Sequence, residues 1–441
     1  MAADDLKTLD ARHVWHPFTQ AQTAPEPPLV REGRGTVLVD SEGREHLDLI
    51  SSWWTTLHGH GHPAITGAIA RQAETLDHVI FAGFTHEPAV RLAGRLAGLM
   101  PGPLNRVFYS DNGSTAVEVA LKAGLQYWRN HGDTARGRFL AFDGGYHGDT
   151  VGAMSAGAAS GFFDPFAEML FPVDVMPVAP TWQGDEAVAA KEAEALAALD
   201  RHLDAHGRET AAAVIEPLVQ GAGGMRMHRP EFLRAVVERL QAAGVLVVLD
   251  EVMTGFGRTG PVFALEAAGV VPDMVCLSKG LTGGTLPVAA TVATDAVHDA
   301  FLGEGIDTAF LHGHSFTAGP MGCAAGLASL DLLLDEACAE RRRAIEAFHR
   351  GFLDAMADHP LVTRPRVQGT IMAFDVPAGG DAGYGAGVGP ALKAHFRAEG
   401  LVIRPLGNVV YLMPPYSVTD AELQRAADGI RRALDALQQK T

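Results

Sequence analysis

The stretch VLVVLDEVMTGFGRTG, Val245 to Gly260, fits three different chemistries at once. Gly255-Phe-Gly257-Arg-Thr-Gly260 matches the dinucleotide pattern G-x-G-x-x-G. The apolar run ending in Asp250-Glu251 matches the magnesium-holding strand of a P-loop ATPase. A strand closed by a buried acid also suits a carboxylate that grips the ring nitrogen of a cofactor. Only one reading can be right, and the rest of the chain decides.

On either side of this stretch, apolar strand-like runs alternate with helical patterns. The runs include RVFYS (106–110), FLAF (139–142), AAVIEP (212–217), VLVVLD (245–250) and DMVCLS (273–278). Between them lie TAVEVALKAGLQYW (115–128) and PEFLRAVVERLQAAG (230–244), the latter opened by Pro230 and closed by Gly244. Continuous apolar strands separated by helices predict an α/β fold with a mostly parallel sheet covered on both faces. Such sheets carry their ligands in loops at the carboxyl ends of the strands.

Upstream, TVLVD-SEG-REHLDLI (36–50) reads as a hairpin around a Ser-Glu-Gly turn. The Ala- and Glu-rich segment 185–213 reads as a solvent-facing helix without chemistry. From about residue 326 one long helix, spanning 323–356, leads into a smaller α+β region. That region has strand-like GTIMAFDV (369–376), LVIRP (401–405) and NVVYLMP (408–414), with a Gly-rich loop at 379–389. The expected division is an N-terminal segment (1–60) joining the small domain, a large α/β domain (61–325) and a small α+β domain (326–441).

The chain has 441 residues and a formal net charge of -17, which argues against nucleic acid, whose phosphates are bound by Lys and Arg. The acidic start MAADDLKTLD lacks an apolar core, so no signal peptide is expected, and no run nears the ~20 apolar residues that span a bilayer. Cys276, Cys323 and Cys338 form no CxxC pair, which predicts a cytoplasmic protein without disulfides or structural zinc. In HGHGHP the alternating His58, His60 and His62 tempt a metal reading, but the intervening glycines and the proline predict a turn.

A P-loop ATPase needs G-x-x-x-x-G-K-[ST], and no such string occurs. A dinucleotide fingerprint needs its glycines directly after the strand and opening a helix; here four residues separate Asp250 from Gly255, and Pro261 follows Gly260. The third reading asks for a strand-end carboxylate, a lysine on a neighbouring strand end and a phosphate cup at a helix N-terminus. Asp250 closes one strand, Lys279 follows the next in DMVCLSKGLTGG, and Ser110-Asp-Asn-Gly113-Ser114-Thr115 precedes a helix. Alone, Lys279 is an ordinary loop lysine and the Ser-rich helix start an ordinary cap. Together they describe a site for pyridoxal 5'-phosphate (PLP).

The run from Asp250-Glu251 through Gly255–Gly260 to Ser278-Lys279-Gly280 resembles the class III aminotransferases, PLP enzymes of fold type I, and the resemblance covers essentially the whole chain. Its more discriminating pieces are HVWHPFTQ (13–20), DLISSWWTTLHGHGHP (48–63), YHGDTVGAMS (146–155), EPLVQGAGGMRMH (216–228) and IRPLGNVVYLMPPY (403–416). These are most similar to the branch that aminates 8-amino-7-oxononanoate to 7,8-diaminononanoate in biotin biosynthesis. The Ser-Ser-Trp-Trp and Met-Pro-Pro-Tyr strings set that branch apart from GABA, ornithine and semialdehyde relatives.

The resemblance implies that Lys279 carries PLP in Schiff-base linkage and moves the proton, that Asp250 pairs with the ring nitrogen, and that Tyr146 stacks on the ring, with His147 as support. It implies that Gly113 and Ser114 bind the cofactor phosphate and that a homodimer shares its sites, Ser315 of HGHSFTAG (312–319) reaching the partner's phosphate. It puts Trp53, Trp54, Tyr146, Asp149, Arg258, Gly313, Arg404 and Tyr411 at the substrates, Arg404 against a distant carboxylate. The Gly255–Gly260 string then shapes a loop after the Asp250 strand and binds no dinucleotide. S-adenosylmethionine is the usual amino donor in this branch and lysine serves some members; nothing in the sequence separates them. Where many relatives carry Tyr in W-H-P-Y, this chain has Phe18, which removes a hydroxyl at the substrate mouth. A broad ω-amino acid or amine transaminase is the alternative activity, and a PLP-binding protein without turnover the alternative class.

Overall fold

The computed structural model describes residues 3–157, 163–377 and 387–439. Its centre is a seven-stranded sheet in the order Leu104–Ser110, Ala289–Thr294, Met274–Leu277, Leu246–Asp250, Thr210–Ile215, Arg138–Phe142 and Asp174–Met176. Every pairing is parallel except those of Ala289–Thr294, which runs antiparallel to both neighbours. The apolar runs are continuous because both faces are covered. Val247 and Leu249 enter one core while Leu246 and Val248 enter another, as period-two alternation requires. Helix Gly113–Asn130 covers the second face; Gly124 there lies so close to the sheet that an added Cβ would stand 3.1 Å from Ala212 Cβ.

Register delivers the site. Asp250 pairs with Cys276 on the parallel neighbour, so Lys279, three residues on, leaves the sheet at the same edge. Leu104–Ser110 also ends there, since Ser110 pairs with Ala289, where the antiparallel strand begins.

A second core, around Leu47, Leu49, Phe374, Phe396, Val410 and Ile430, joins the two ends of the chain. The hairpin Val37–Asp40/Glu45–Asp48 forms as expected, and Leu47 pairs with Leu401 in parallel. Ile371–Asp375 and Val409–Leu412 pair with each other, while the strand expected over 401–405 is reduced to Leu401–Val402.

Two expectations are corrected. The single helix of 323–356 is two, Pro320–Leu333 and Glu336–Ala355. Asp335 breaks it: its backbone is extended and its side chain accepts from Ala337 N, the stop-and-restart of an N-cap. Segment 185–213 is not one solvent-facing helix. Helix Val188–His206 buries Ala195 and Leu199 and ties Glu192 to Arg229, and the strand Thr210–Ile215 follows. Most of the Gly-rich 379–389 lies outside the described residues. Among the described residues no helix is long and apolar enough to cross a membrane.

Candidate active site

At the carboxyl edge of the sheet a cavity of about 650 Å³ opens, lined among others by Trp54, Gly113, Ser114, Tyr146, Asp149, Glu216, Asp250 and Lys279. That volume suits a cofactor with a small substrate. Asp250 closes its strand at 4% exposure; one carboxylate oxygen lies 2.7 Å from His147 Nδ1 and the other accepts from Val252 N at 3.0 Å. Burial disfavours a charged His147, but the hydrogen bond and charge of Asp250, with Glu216 nearby, outweigh it and raise its pKa. His147 Nε2 is buried without a partner, so the ring serves Asp250 through Nδ1. Lys279 begins a 3-10 turn with φ of +43°, a strained value for a side-chain-bearing residue. Its Nζ lies 4.8 Å from the centre of the Trp54 ring. Burial pulls the pKa of this amine down, with Asp250 and Glu216 opposing.

Opposite stands the start of helix Gly113–Asn130. Asn112 and Thr115 close a capping box, and the first N–H groups of a helix have no intrahelical acceptor, which makes such a start a place for an anion. Close approach is built in. A Cβ on Gly113 would lie 2.5 Å from Val252 Cγ1, and one on Gly148, at φ of +123°, would overlap Ser114. Ser114 Oγ accepts from Thr150 N at 2.9 Å and shares a 2.6 Å hydrogen bond with Thr150 Oγ1.

Tyr146 donates its hydroxyl to Asp149 at 3.0 Å and its ring stacks on Phe163. Its backbone N–H goes to Glu216, which is 4% exposed and accepts from Gly221 N with its other oxygen. Burial pushes the Glu216 pKa up to about 7.

The Ser-Ser-Trp-Trp string folds as a strained turn. Ser51, Ser52 and Trp54 all have positive φ, held because Asp48 accepts from the N–H groups of Ile50 and Ser52 while Ser51 Oγ donates to Met413 O. The turn sends Trp54 inward, at 4% exposure, and Trp53 outward, at 41%. Trp54 Nε1 donates to Tyr411 Oη at 2.9 Å. Arg404 lies over the Trp53 ring at 4.7 Å and Phe18 meets the same ring edge-on at 5.5 Å.

The structure therefore gathers Lys279, Asp250, Tyr146, Asp149, Gly113, Ser114 and Trp54 at one cavity, with Tyr411 behind Trp54, while Trp53 and Arg404 pair with each other and do not line it. Arg258 does not line that cavity but lies near enough for its charge to act on Lys279. It is 1% exposed, donates to the carbonyls of Pro414 and Thr56, and sits over the Tyr416 ring. Gly257 of its loop serves packing, since a Cβ there would strike Arg342. Gly313 and Ser315 lie on an exposed loop and do not line this cavity. His58, His60 and His62 take separate partners: Ser329, Asp48 and the first turn of helix Pro63–Thr75. Sequence reasoning missed Glu216 and Thr150. Glu216 carried the same signal as Asp250, a carboxylate closing an apolar strand.

An amine, a strand-end carboxylate on a histidine and an anion-binding helix start face one cavity, and the backbone at Gly113 and Gly148 leaves room for a close ligand. This donor set fits PLP. The model of the family "Aminotransferase class-III" matches residues 19–434. The chain belongs to the class III aminotransferases. It is a PLP-dependent aminotransferase of fold type I. It is 54% identical to the adenosylmethionine-8-amino-7-oxononanoate aminotransferase of Synechococcus elongatus, over 96% of this chain and 99% of the relative. It is 40% identical to the enzyme of that name from Geobacter sulfurreducens, over 97% of each chain. The crystal structure of such an enzyme from Methanocaldococcus jannaschii superposes with a TM-score of 0.92 at 32% identity, covering 99% of both chains. An (S)-enantioselective omega-transaminase from Thermomicrobium roseum gives 0.91 at 28% identity, again with 99% of both chains covered.

Proposed function

We propose that this protein transfers an amino group to 8-amino-7-oxononanoate, forming 7,8-diaminononanoate in biotin biosynthesis, with S-adenosylmethionine as donor. The observation that carries the substrate is the tryptophan pair, Trp54 facing the Lys279 amine inside the cavity and Trp53, turned outward, under Arg404. An indole at the amine with a guanidinium farther out suits a long aliphatic chain ending in a carboxylate. Relatives bearing that enzyme's name across nearly their whole length support the same reading. The net charge of -17 favours approach of a cationic donor.

Bound here, PLP supplies a conjugated ring that takes up the electron pair released when the donor's C–H bond breaks. The protein supplies the rest. Asp250, oriented by His147 and Val252 N, holds a proton at the ring nitrogen. Lys279, whose lowered pKa favours the neutral amine, receives the donor's proton and returns it. Tyr146 fixes the ring plane, and its hydroxyl orients Asp149. Gly113, Ser114 and Thr150 take the phosphate. Gly313 and Ser315 act on the partner's site in a homodimer. Exposed Leu302, Ile306, Leu311 and Phe316 in the same stretch, 62–72% exposed, support a second copy covering this face.

The test is product formation. Protein loaded with PLP is given 8-amino-7-oxononanoate with S-adenosylmethionine or with lysine, and 7,8-diaminononanoate is measured by mass spectrometry. Diamine from S-adenosylmethionine bears the reading out; diamine from lysine alone overturns the donor. Turnover of other ω-amines without any diamine favours the broad transaminase.

A further inference from the structure

Glu216 ends the apolar strand Thr210–Ile215 two strands from Lys279 and faces the cavity. Its two carboxyl oxygens accept from two separate walls of that cavity: Oε2 from Tyr146 N at 3.1 Å, Oε1 from Gly221 N at 2.9 Å. Tyr146 belongs to the cofactor side. Gly221 belongs to the substrate side, since an added Cβ there would lie 3.2 Å from Trp54 Cζ3 and 3.0 Å from Met253 Cε. Trp54 in turn is pinned to Tyr411. One buried carboxyl thus bonds both segments, beside a second tie in which Gln220 Nε2 donates to Asp143 O at 2.8 Å.

We propose that Glu216 is a positioning residue that clamps the Tyr146 segment to the Gly221 turn, so that the cofactor-facing ring and the Trp54 wall move as one body. The inference rests on the reading that Tyr146 and Trp54 serve the transfer. It goes beyond that reading by coupling the fit of the substrate chain to the seating of the cofactor. A carboxyl is needed because both oxygens must accept. A glutamine of the same size has one acceptor and turns its NH2 toward one of the two N–H groups.

Two variants, prepared without cofactor and reloaded with PLP, test the clamp. In Glu216→Gln one buried N–H loses its partner, which predicts PLP binding weaker by about tenfold or more by fluorescence titration and a shifted visible absorbance of the bound cofactor. Unchanged PLP affinity and absorbance in folded Glu216→Gln would overturn the clamp. Gly221→Ala keeps the carboxylate and remains informative if Glu216→Gln does not fold. Its methyl presses on Trp54 and Met253, and the clamp predicts that the displacement reaches Tyr146, so that the bound cofactor's absorbance shifts along with a raised KM for 8-amino-7-oxononanoate. A raised KM with a wild-type cofactor spectrum would mean that the two walls are not coupled. A wild-type protein that binds PLP but forms no diamine would overturn the functional reading instead, and the clamp would stand or fall on the two spectra.

Discussion

Replacing Gly148 with Ala isolates the phosphate cup. Gly148 sits at φ of +123°, a region that side-chain-bearing residues rarely adopt, and the new Cβ would overlap Ser114 Cβ and Oγ. Backbone strain of this kind costs about 1–3 kcal/mol and appears in the stability of the folded protein. The overlap has a separate effect. Moving Ser114 breaks its hydrogen bonds to Thr150 N and Oγ1. At about 1 kcal/mol for each bond, about 2 kcal/mol of cup organisation is lost, which is about a thirtyfold loss of PLP affinity. Gly184→Ala is the control. Gly184 has φ of +80°, but a Cβ there meets nothing within 4 Å, and the residue does not line the cavity. It predicts a stability loss of similar origin with PLP affinity unchanged. Affinity is read by fluorescence titration of the cofactor-free protein, and stability by urea denaturation. Gly148→Ala with PLP affinity within twofold of wild type would refute the placement of the phosphate at Ser114.

Lys279→Ala abolishes turnover and the absorbance of lysine-linked PLP while leaving loose PLP binding; persistent turnover would remove Lys279 from its role. Tyr411→Phe leaves the buried Trp54 Nε1–H without its acceptor and lowers unfolding free energy by about 1–3 kcal/mol; an unchanged urea midpoint contradicts that bond. Arg404→Ala raises KM for 8-amino-7-oxononanoate more than it lowers kcat, and an unaltered KM removes Arg404 from the carboxylate. His349 is fully buried with both ring nitrogens unpartnered, and burial pulls its pKa down to about 3. Its folded pKa lies below the unfolded value of 6.5, so the unfolded chain binds the extra proton and stability is lost as pH falls from about 6.5 toward 3. The slope is about 1.4 kcal/mol per pH unit for this one histidine; His349→Leu flattens the pH dependence of the urea midpoint, and parallel curves for the two proteins would refute it.

Much of the site was legible because it lies on long apolar strands. Asp250 and Lys279 close consecutive strands, and parallel register alone brings their ends together. The helix start at Gly113 was legible only as part of the set, since a run of small hydroxyl residues there is by itself an ordinary cap. The antiparallel Ala289–Thr294 escaped notice because AATVAT is too small-sided to stand out, yet it completes the sheet between Met274–Leu277 and Leu104–Ser110. The break at Asp335 was hidden inside an unbroken helical pattern, since one capping side chain outweighs the propensity of its neighbours. Arg258 was named by motif, and a motif does not say which way a side chain turns; packing gives its guanidinium to the Pro414 and Thr56 carbonyls, near enough to Lys279 for the two charges to interact. The strain at Ser51, Ser52 and Trp54 was invisible because its cause, Asp48 and the Met413 carbonyl, includes a partner more than 300 residues away.

The most direct measurement adds 7,8-diaminononanoate to the PLP-loaded protein and follows the visible spectrum, running half of the reaction backward. The account predicts that the absorbance of lysine-linked PLP falls, that a pyridoxamine-type spectrum replaces it and that 8-amino-7-oxononanoate appears in solution. A lysine-linked PLP spectrum that ignores this diamine but bleaches with other ω-amines would contradict the assigned substrate, and the absence of any lysine-linked absorbance would contradict the role of Lys279 itself.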